Sequence, residues 1–243
     1  MLFGSFTKCF EKILLVLALS LSAHAMAAEK MAIFVSGVAK PKDMEKALEK
    51  DPALGGIGIT VFVNFEDFQK ALKSSEYTHG LVPSGLLKYD ASLEPQFQLT
   101  IKGAQTFKYE VVSLDSTWNK DKIPEGTVGM VNVVGRENAK VYTEELLAPM
   151  KFKRVKQVSK IGDLYPLLAL GNANYAIFDP KDLEMAQKDF TSKPLKVVET
   201  VEQGFPVFIA KKGTPVNAAF DPTKMSADSF ALIGYDAAIP YKK

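Results

Sequence analysis

The chain has 243 residues, with 30 basic and 28 acidic side chains and a formal net charge of +2. That balance, with no long basic run, leaves no nucleic-acid footprint. One cysteine and two histidines are too few for a His/Cys metal cluster, and the length allows one large domain or two lobes with substantial cores.

The first residues read as an export signal. Lys8 and Lys12 precede an apolar run at 13–22, and Ala23-His24-Ala25 is a small-x-small cleavage site, with Ala27 satisfying the same rule two residues on. The run is about half the roughly 20 residues a spanning helix needs. Cys9 lies ahead of the apolar run, the wrong place for lipid attachment. Cleavage after Ala25 or Ala27 removes Cys9 and His24. The expected product is a soluble periplasmic protein held by its core without disulfides, with His79 as its one histidine.

Beyond the signal, 31–35 (MAIFV) is an apolar run ending at Ser36-Gly37, the pattern of a buried strand. Pro41 opens a helical pattern with Met44, Ala47 and Leu48 on one face, stopped by Asp51-Pro52. The β-branched and aromatic stretch 57–63 predicts a second strand. Asn64 then caps a helix that turns Phe65, Phe68 and Leu72 inward. A third strand at 80–82 closes at Pro83-Ser84. Strand–helix alternation, with polar or glycine-containing turns at the strand ends, predicts an α/β layered fold with a largely parallel sheet.

The middle changes character. Stretches 97–101 and 107–114 are extended with no helix between them, which suits strands carrying the chain from one lobe to another. The lobe boundary is placed near the polar 118–125. Alternation restarts at 126–148 with a buried strand over 127–132, a glycine-containing turn, and a helix carrying Val141, Tyr142, Leu146 and Leu147. A turn of this kind gathers free backbone N–H groups and the positive end of a helix dipole. Arg136 adds a permanent charge there, so the turn is read as one wall of a ligand site, suited to an anion or a polar ligand atom. A strand at 152–158 follows, then a short helix at 164–170 capped by Asp163 and ended by Gly171. Next come a strand at 175–178, the Asp179-Pro180 turn, and a helix carrying Leu183, Met185 and Ala186. Stretches 195–199 and 206–210 are extended and return the chain to the first lobe.

Four pieces, taken in order and spacing, carry a family resemblance: 77–88 with its Pro-Ser turn, the extended 109–116, the strand–turn–helix of 126–147, and 161–178 with Gly171-Asn172-Ala173-Asn174. Together they resemble the periplasmic substrate-binding proteins of ABC transporters, in particular the phosphate/phosphite/phosphonate-type members with the two-lobed type II fold. The resemblance implies two lobes, each a mostly parallel sheet flanked by helices, joined by two crossing strands. On this chain residues 1–25 are the signal, 29–114 the first lobe, completed by 205–243, and 115–204 the second. A ligand is then held between the lobes by turns at strand ends, and those turns carry Ser36, Asn64, Ser84, Arg136, Asn138, Asp163 and Asp179. Members of the family have a run of Ser and Thr hydroxyls in the second-lobe turn. This chain has Val133-Val134-Gly135-Arg136-Glu137-Asn138 instead, which argues against phosphate or phosphonate and for another small anionic or zwitterionic ligand.

Each of these residues also has a plainer role open to it. Arg136 can pair with Glu137 or Glu144; Ser84, Asn138 and Asp163 are residue types that cap helices; Asp179 before Pro180 is an ordinary turn. His79, at the start of an apolar strand, suits a structural role. The expected function is that of a monomeric solute-binding protein, with no cofactor and no metal, serving an ABC permease or a sensor. The alternative is an envelope interaction or chaperone protein using the same fold with an altered cleft. An enzyme is disfavoured, since neither G-x-S-x-G nor a metal-ligand spacing occurs.

Overall fold

The computed structural model describes residues 29–35, 40–148, 151–189, 193–215 and 217–242, so the export signal and Ser36 lie outside the described residues. The first lobe opens with β1 (Lys30–Phe34), α1 (Pro41–Leu48), β2 (Gly58–Phe62), α2 (Phe65–Lys73) and β3 (His79–Val82). β1 lies between β2 and β3 and pairs parallel with both. Pro41 stands in the first turn of α1, where its missing N–H costs nothing. The Asn64 side chain accepts from the N–H groups of Glu66 and Asp67 to start α2. Met44 and Leu48 pack on one face of the sheet with Met31, Ile33 and Leu81. Phe65, Phe68 and Leu72 cover the other with Ala32 and Val82. The buried carboxylate of Glu45 accepts the Val61 N–H at 2.9 Å, and Glu49 accepts that of Ile59 at 3.1 Å. Both bonds block the outer edge of β2, which would otherwise present unpaired backbone.

After a 3-10 turn at Ser84–Lys88 come β4 (Leu93–Thr100) and β5 (Thr106–Ser113). The second lobe continues with β6 (Thr127–Val131), α3 (Ala139–Leu146), β7 (Arg154–Val158), α4 (Leu164–Ala169), β8 (Tyr175–Phe178), α5 (Pro180–Asp189) and β9 (Lys196–Gly204). The chain returns through β10 (Val207–Lys211), α6 (Ala227–Ile233) and β11 (Ala237–Pro240). One sheet has the order β11-β4-β10-β3-β1-β2 and the other β7-β6-β8-β5-β9. Leu164, Leu168 and Leu183 cover one face of the second sheet, and Ile123, Leu147 and Phe152 the other.

Two features differ from the sequence expectation. The sheets are mixed rather than mostly parallel, because β10, β4 and β11 enter the first sheet antiparallel and β5 and β9 enter the second the same way. The division expected at residue 115 also shifts. β5 pairs with β9 from Thr106↔Gly204 to Ser113↔Lys196, so both strands form a ribbon of the second sheet. The two crossings therefore fall in the short links 101–105 and 205–206. They are tied together by Phe205 N–H on the Gln105 carbonyl (3.0 Å), by Gln98 Nε2 on the same carbonyl (3.0 Å), and by Phe107 stacked on Phe205 at 5.0 Å. Among the described residues no helix is long and apolar enough to cross a membrane.

Candidate functional site

β6 and β8 lie side by side and parallel, so their C-terminal ends point the same way. In open α/β sheets ligands bind beyond the carboxyl ends of such strands. A cavity of about 60 Å³ sits there. Its apolar wall is built by Met130, Val131, Val133, Leu146, Ile161 and Ile177, and its polar groups come from Tyr109, Tyr142, Asp179, Asp182 and Gln203. Tyr109 and Gln203 come from the β5–β9 ribbon of the second sheet, Tyr142 from α3, and Asp179 and Asp182 from the turn before α5 and its first turn. Asp179 Oδ1 accepts the Asp182 N–H at 2.8 Å, which fixes the Asp179 carboxylate at the head of that helix.

The electrostatics follow from this crowding. Burial pushes the Tyr109 phenol well above its usual range, with Tyr142 and Asp179 adding to the effect. Tyr142 rises for the same first reason, and the nearby Gln203 amide draws it back only in part. Tyr235, from the first lobe, is raised by burial and then by Asp179. All three stay neutral at physiological pH. The Tyr142 hydroxyl and the Gln203 side chain are buried beside each other, and a hydrogen bond between them is what draws the phenol back.

Of the residues singled out from sequence, Asp179 lines this cavity. Arg136 stands outside it, with its side chain 75% exposed and bonded to Glu66 at 2.7 Å. Asn64 caps α2. Ser84 donates to the Gly204 carbonyl at 2.7 Å, beside the crossing link. Asn138 Nδ2 donates to the Val134 carbonyl at 3.0 Å. Asp163 is exposed and makes no side-chain cap on α4. The turn 132–138 is a packed plug rather than an open cradle. Asn132 Oδ1 takes the Gly135 N–H, the Gly135 carbonyl takes the Asn138 N–H, and Val134 is fully buried against Met130, Ala139 and Tyr142. Gly135 turns the chain at φ +89°, a conformation other residues rarely adopt. Sequence reading passed over Tyr109, Asp182 and Gln203 and took Tyr142 for helix packing. The signal available was two aspartates three residues apart, directly after a buried strand.

The lobes touch across the mouth of the cavity. Arg136 reaches Glu66, Lys88 reaches Glu145 at 2.8 Å, and the Tyr89 hydroxyl lies 3.5 Å from the same carboxylate. Gly85 packs so closely on Tyr142 that a Cβ there would stand 2.4 Å from the ring. The arrangement is a closed cleft. Among the described residues no group of three His, Cys, Asp or Glu side chains could hold a metal ion.

No protein-family model matches the chain and no curated protein does so. Solved structures do. PhnD1 from Prochlorococcus marinus, in complex with methylphosphonate, superposes with a TM-score of 0.64 at 11% identity, over 89% of this chain and 93% of that one. A protein from Xanthomonas citri bound to ATP gives 0.64 at 11% identity, over 88% and 92%. The arginine-, lysine-, histidine-binding protein of Geobacillus stearothermophilus gives 0.56 at 15%, over 84% and 93%. The chain thus has the two-lobed α/β fold of the type II periplasmic binding proteins, and its structural neighbours include binding proteins of ABC transporters.

Proposed function

We propose that this is a periplasmic solute-binding protein, a monomer and not an enzyme, that closes its two lobes over a small ligand and presents it to an ABC permease or a sensor. The observation that carries the reading is the cavity at the ends of β6 and β8, where an aliphatic wall faces the polar groups of Tyr109, Tyr142, Asp179, Asp182 and Gln203. A ligand there would be held by second-lobe residues, and the first lobe, which meets that wall where Gly85 packs on Tyr142, would close over it. The fold does not choose the ligand, since the neighbours are named for methylphosphonate, ATP and basic amino acids. Of the anionic and zwitterionic classes expected from sequence, the purely anionic one loses its main support, because Arg136 is held by Glu66 outside the cavity.

The test is native mass spectrometry of the protein as isolated, followed by calorimetric titration after unfolding and refolding to strip bound solute. A small molecule carried by the native protein, and binding of a small solute to the stripped one, is the expected outcome. The absence of both a carried molecule and any binding would overturn the proposal. The second reading, an envelope interaction protein, draws on the tight closure, in which Tyr142 lies against Gly85 and the cavity is small. It requires a stable protein partner and an empty cleft in the same native spectra.

A further inference from the structure

The ten residues 151–160 (KFKRVKQVSK) carry five basic side chains and no acidic one. The other lysine-rich stretch, 40–51, balances four basic side chains with four acidic ones and reads as an ordinary solvated face. β7 is the end strand of the second sheet, and among the described strands it pairs only with β6, with Arg154 opposite Thr127. Lys151, Lys153 and Arg154 therefore stand where both strands begin, at the end of the sheet remote from the cavity. All three are exposed. Neither these three nor Lys156 is paired with a carboxylate among the described residues. Glu125, just ahead of β6, can offset one of the four charges. Lys160 lies past the other end of β7, with the exposed Asp163 three residues on.

Basic side chains on an edge strand keep it from pairing with another chain. That accounts for Arg154 and Lys156, which lie within β7, but not for Lys151 and Lys153, which precede it. A second observation lies alongside. Leu170, where α4 ends, is 75% exposed, the most exposed large apolar side chain among the described residues. Lys156 Nζ donates to Asn172 Oδ1 at 3.1 Å, which holds the Leu170 turn against β7. Successive basic residues from 151 to 156 are one or two positions apart, at most about 7 Å along the chain. That is inside the screening length of about 8 Å at physiological salt, so their charges act together. An apolar side chain set beside clustered lysines matches the boundary of an anionic lipid layer. A protein partner fits less well, since protein interfaces centre on aromatic side chains and arginine and are poor in lysine.

We infer that Lys151, Lys153, Arg154 and Lys156, with Leu170 entering the lipid beside them, dock the second lobe on a bilayer of anionic phospholipid. The contact lies at the end of the sheet away from the cavity, so docking leaves the cleft uncovered and the lobes free to open. It does not depend on which solute the cavity takes.

The protein, as its host exports it, is co-sedimented with vesicles of phosphatidylglycerol and phosphatidylcholine in equal parts, and with vesicles of phosphatidylcholine alone. Binding to the anionic vesicles is expected at low salt, falling steeply as salt is raised, with little binding to the neutral ones. Each basic residue near an anionic surface contributes about fivefold to partitioning, so the triple variant Lys151→Gln, Lys153→Gln, Arg154→Gln is expected to bind about a hundredfold more weakly. Its melting temperature should match the parent's, because all three side chains are exposed. The triple variant Lys40→Gln, Lys46→Gln, Lys50→Gln removes the same charge around α1 and is expected to lose far less. Leu170→Ser should weaken binding several-fold and leave the salt dependence as it was. No binding to anionic vesicles at low salt, or equal binding to neutral ones, overturns the inference. So does an equal loss in the two triple variants, which would assign binding to net charge. An unchanged affinity in Leu170→Ser overturns the part given to Leu170. Capture of an acidic envelope protein through the same three residues, without vesicle binding, would put a protein in the place of lipid and overturn the docking partner.

Discussion

His79 is 3% exposed, its Nδ1 lies 3.0 Å from Thr78 Oγ1, and its ring sits 5.2 Å from that of Phe220. Burial lowers its pKa from 6.5, and Glu29 nearby opposes the shift without cancelling it. The sign is fixed by which state binds the proton. Below about pH 6.5 the unfolded chain protonates this residue while the folded one resists, so its contribution to stability is complete above that pH and declines as pH falls. The slope from one such group is at most about 1.4 kcal/mol per pH unit. His79→Gln is expected to flatten urea-unfolding free energies between pH 7 and 5.5 relative to the parent chain; an unchanged slope would assign the pH dependence to other groups. This residue was legible in sequence, since a lone histidine inside an apolar strand has few partners within reach. Arg136 was not. Its position in the turn was read correctly, but the identity of its partner depends on Glu66, which is brought to it only when the lobes meet. Sequence spacing pointed to Glu137 and Glu144, and tertiary structure supplied a third carboxylate.

At the scale of elements, strand–helix pairs with strong local signals formed where expected. Asn64 is the clearest case, with β2 ending ahead of it and Phe65, Phe68 and Leu72 buried behind it. Because its Oδ1 takes the Glu66 N–H at 2.8 Å, Asn64→Ala is expected to cost about 1 kcal/mol in chemical denaturation. The increment in melting temperature produced by a bound ligand should stay unchanged, since Asn64 lies outside the cavity. Loss of that increment instead would make Asn64 a ligand contact and not a cap. Elements defined by long-range pairing were harder to read. β11 is AAIP, with one β-branched residue, and is a strand because it pairs with β4 from Thr100 to Phe97. β5 was recognised as extended but placed in the wrong lobe, since nothing local in FKYEVVS says that its partner is β9 and not β4. α6 was passed over although its signals were present, Ser226 as N-cap and Gly234 at φ +83° closing it.

For the whole molecule the question is what holds the lobes together. The ion pairs Glu66–Arg136 and Lys88–Glu145 straddle the mouth of the cleft with all four side chains at least 41% exposed. Such pairs contribute roughly 0.2–1 kcal/mol each and weaken with salt. They can bias an equilibrium between open and closed states, but a ligand must supply the rest. The closer contact is apolar. Gly85 in the first lobe meets the Tyr142 ring, and Tyr142 is 5% exposed with Met130, Val134 and Ala139 around it, so the ring has little room to retreat. Gly85 is not among the glycines with positive φ, and alanine there is no strain on its own lobe. Gly85→Ala is therefore expected to leave the unfolding midpoint near that of the parent chain while opening the cleft. Small-angle scattering should show a larger radius of gyration, and ligand affinity should fall because the closed state becomes costlier. Glu66→Gln with Glu145→Gln should open the cleft less, and raising the salt concentration should reproduce that smaller change in the parent chain but add little to the double variant. A Gly85→Ala protein as compact as the parent, binding ligand equally well, would show that the Tyr142 ring yields, and that closure does not depend on a bare backbone at residue 85.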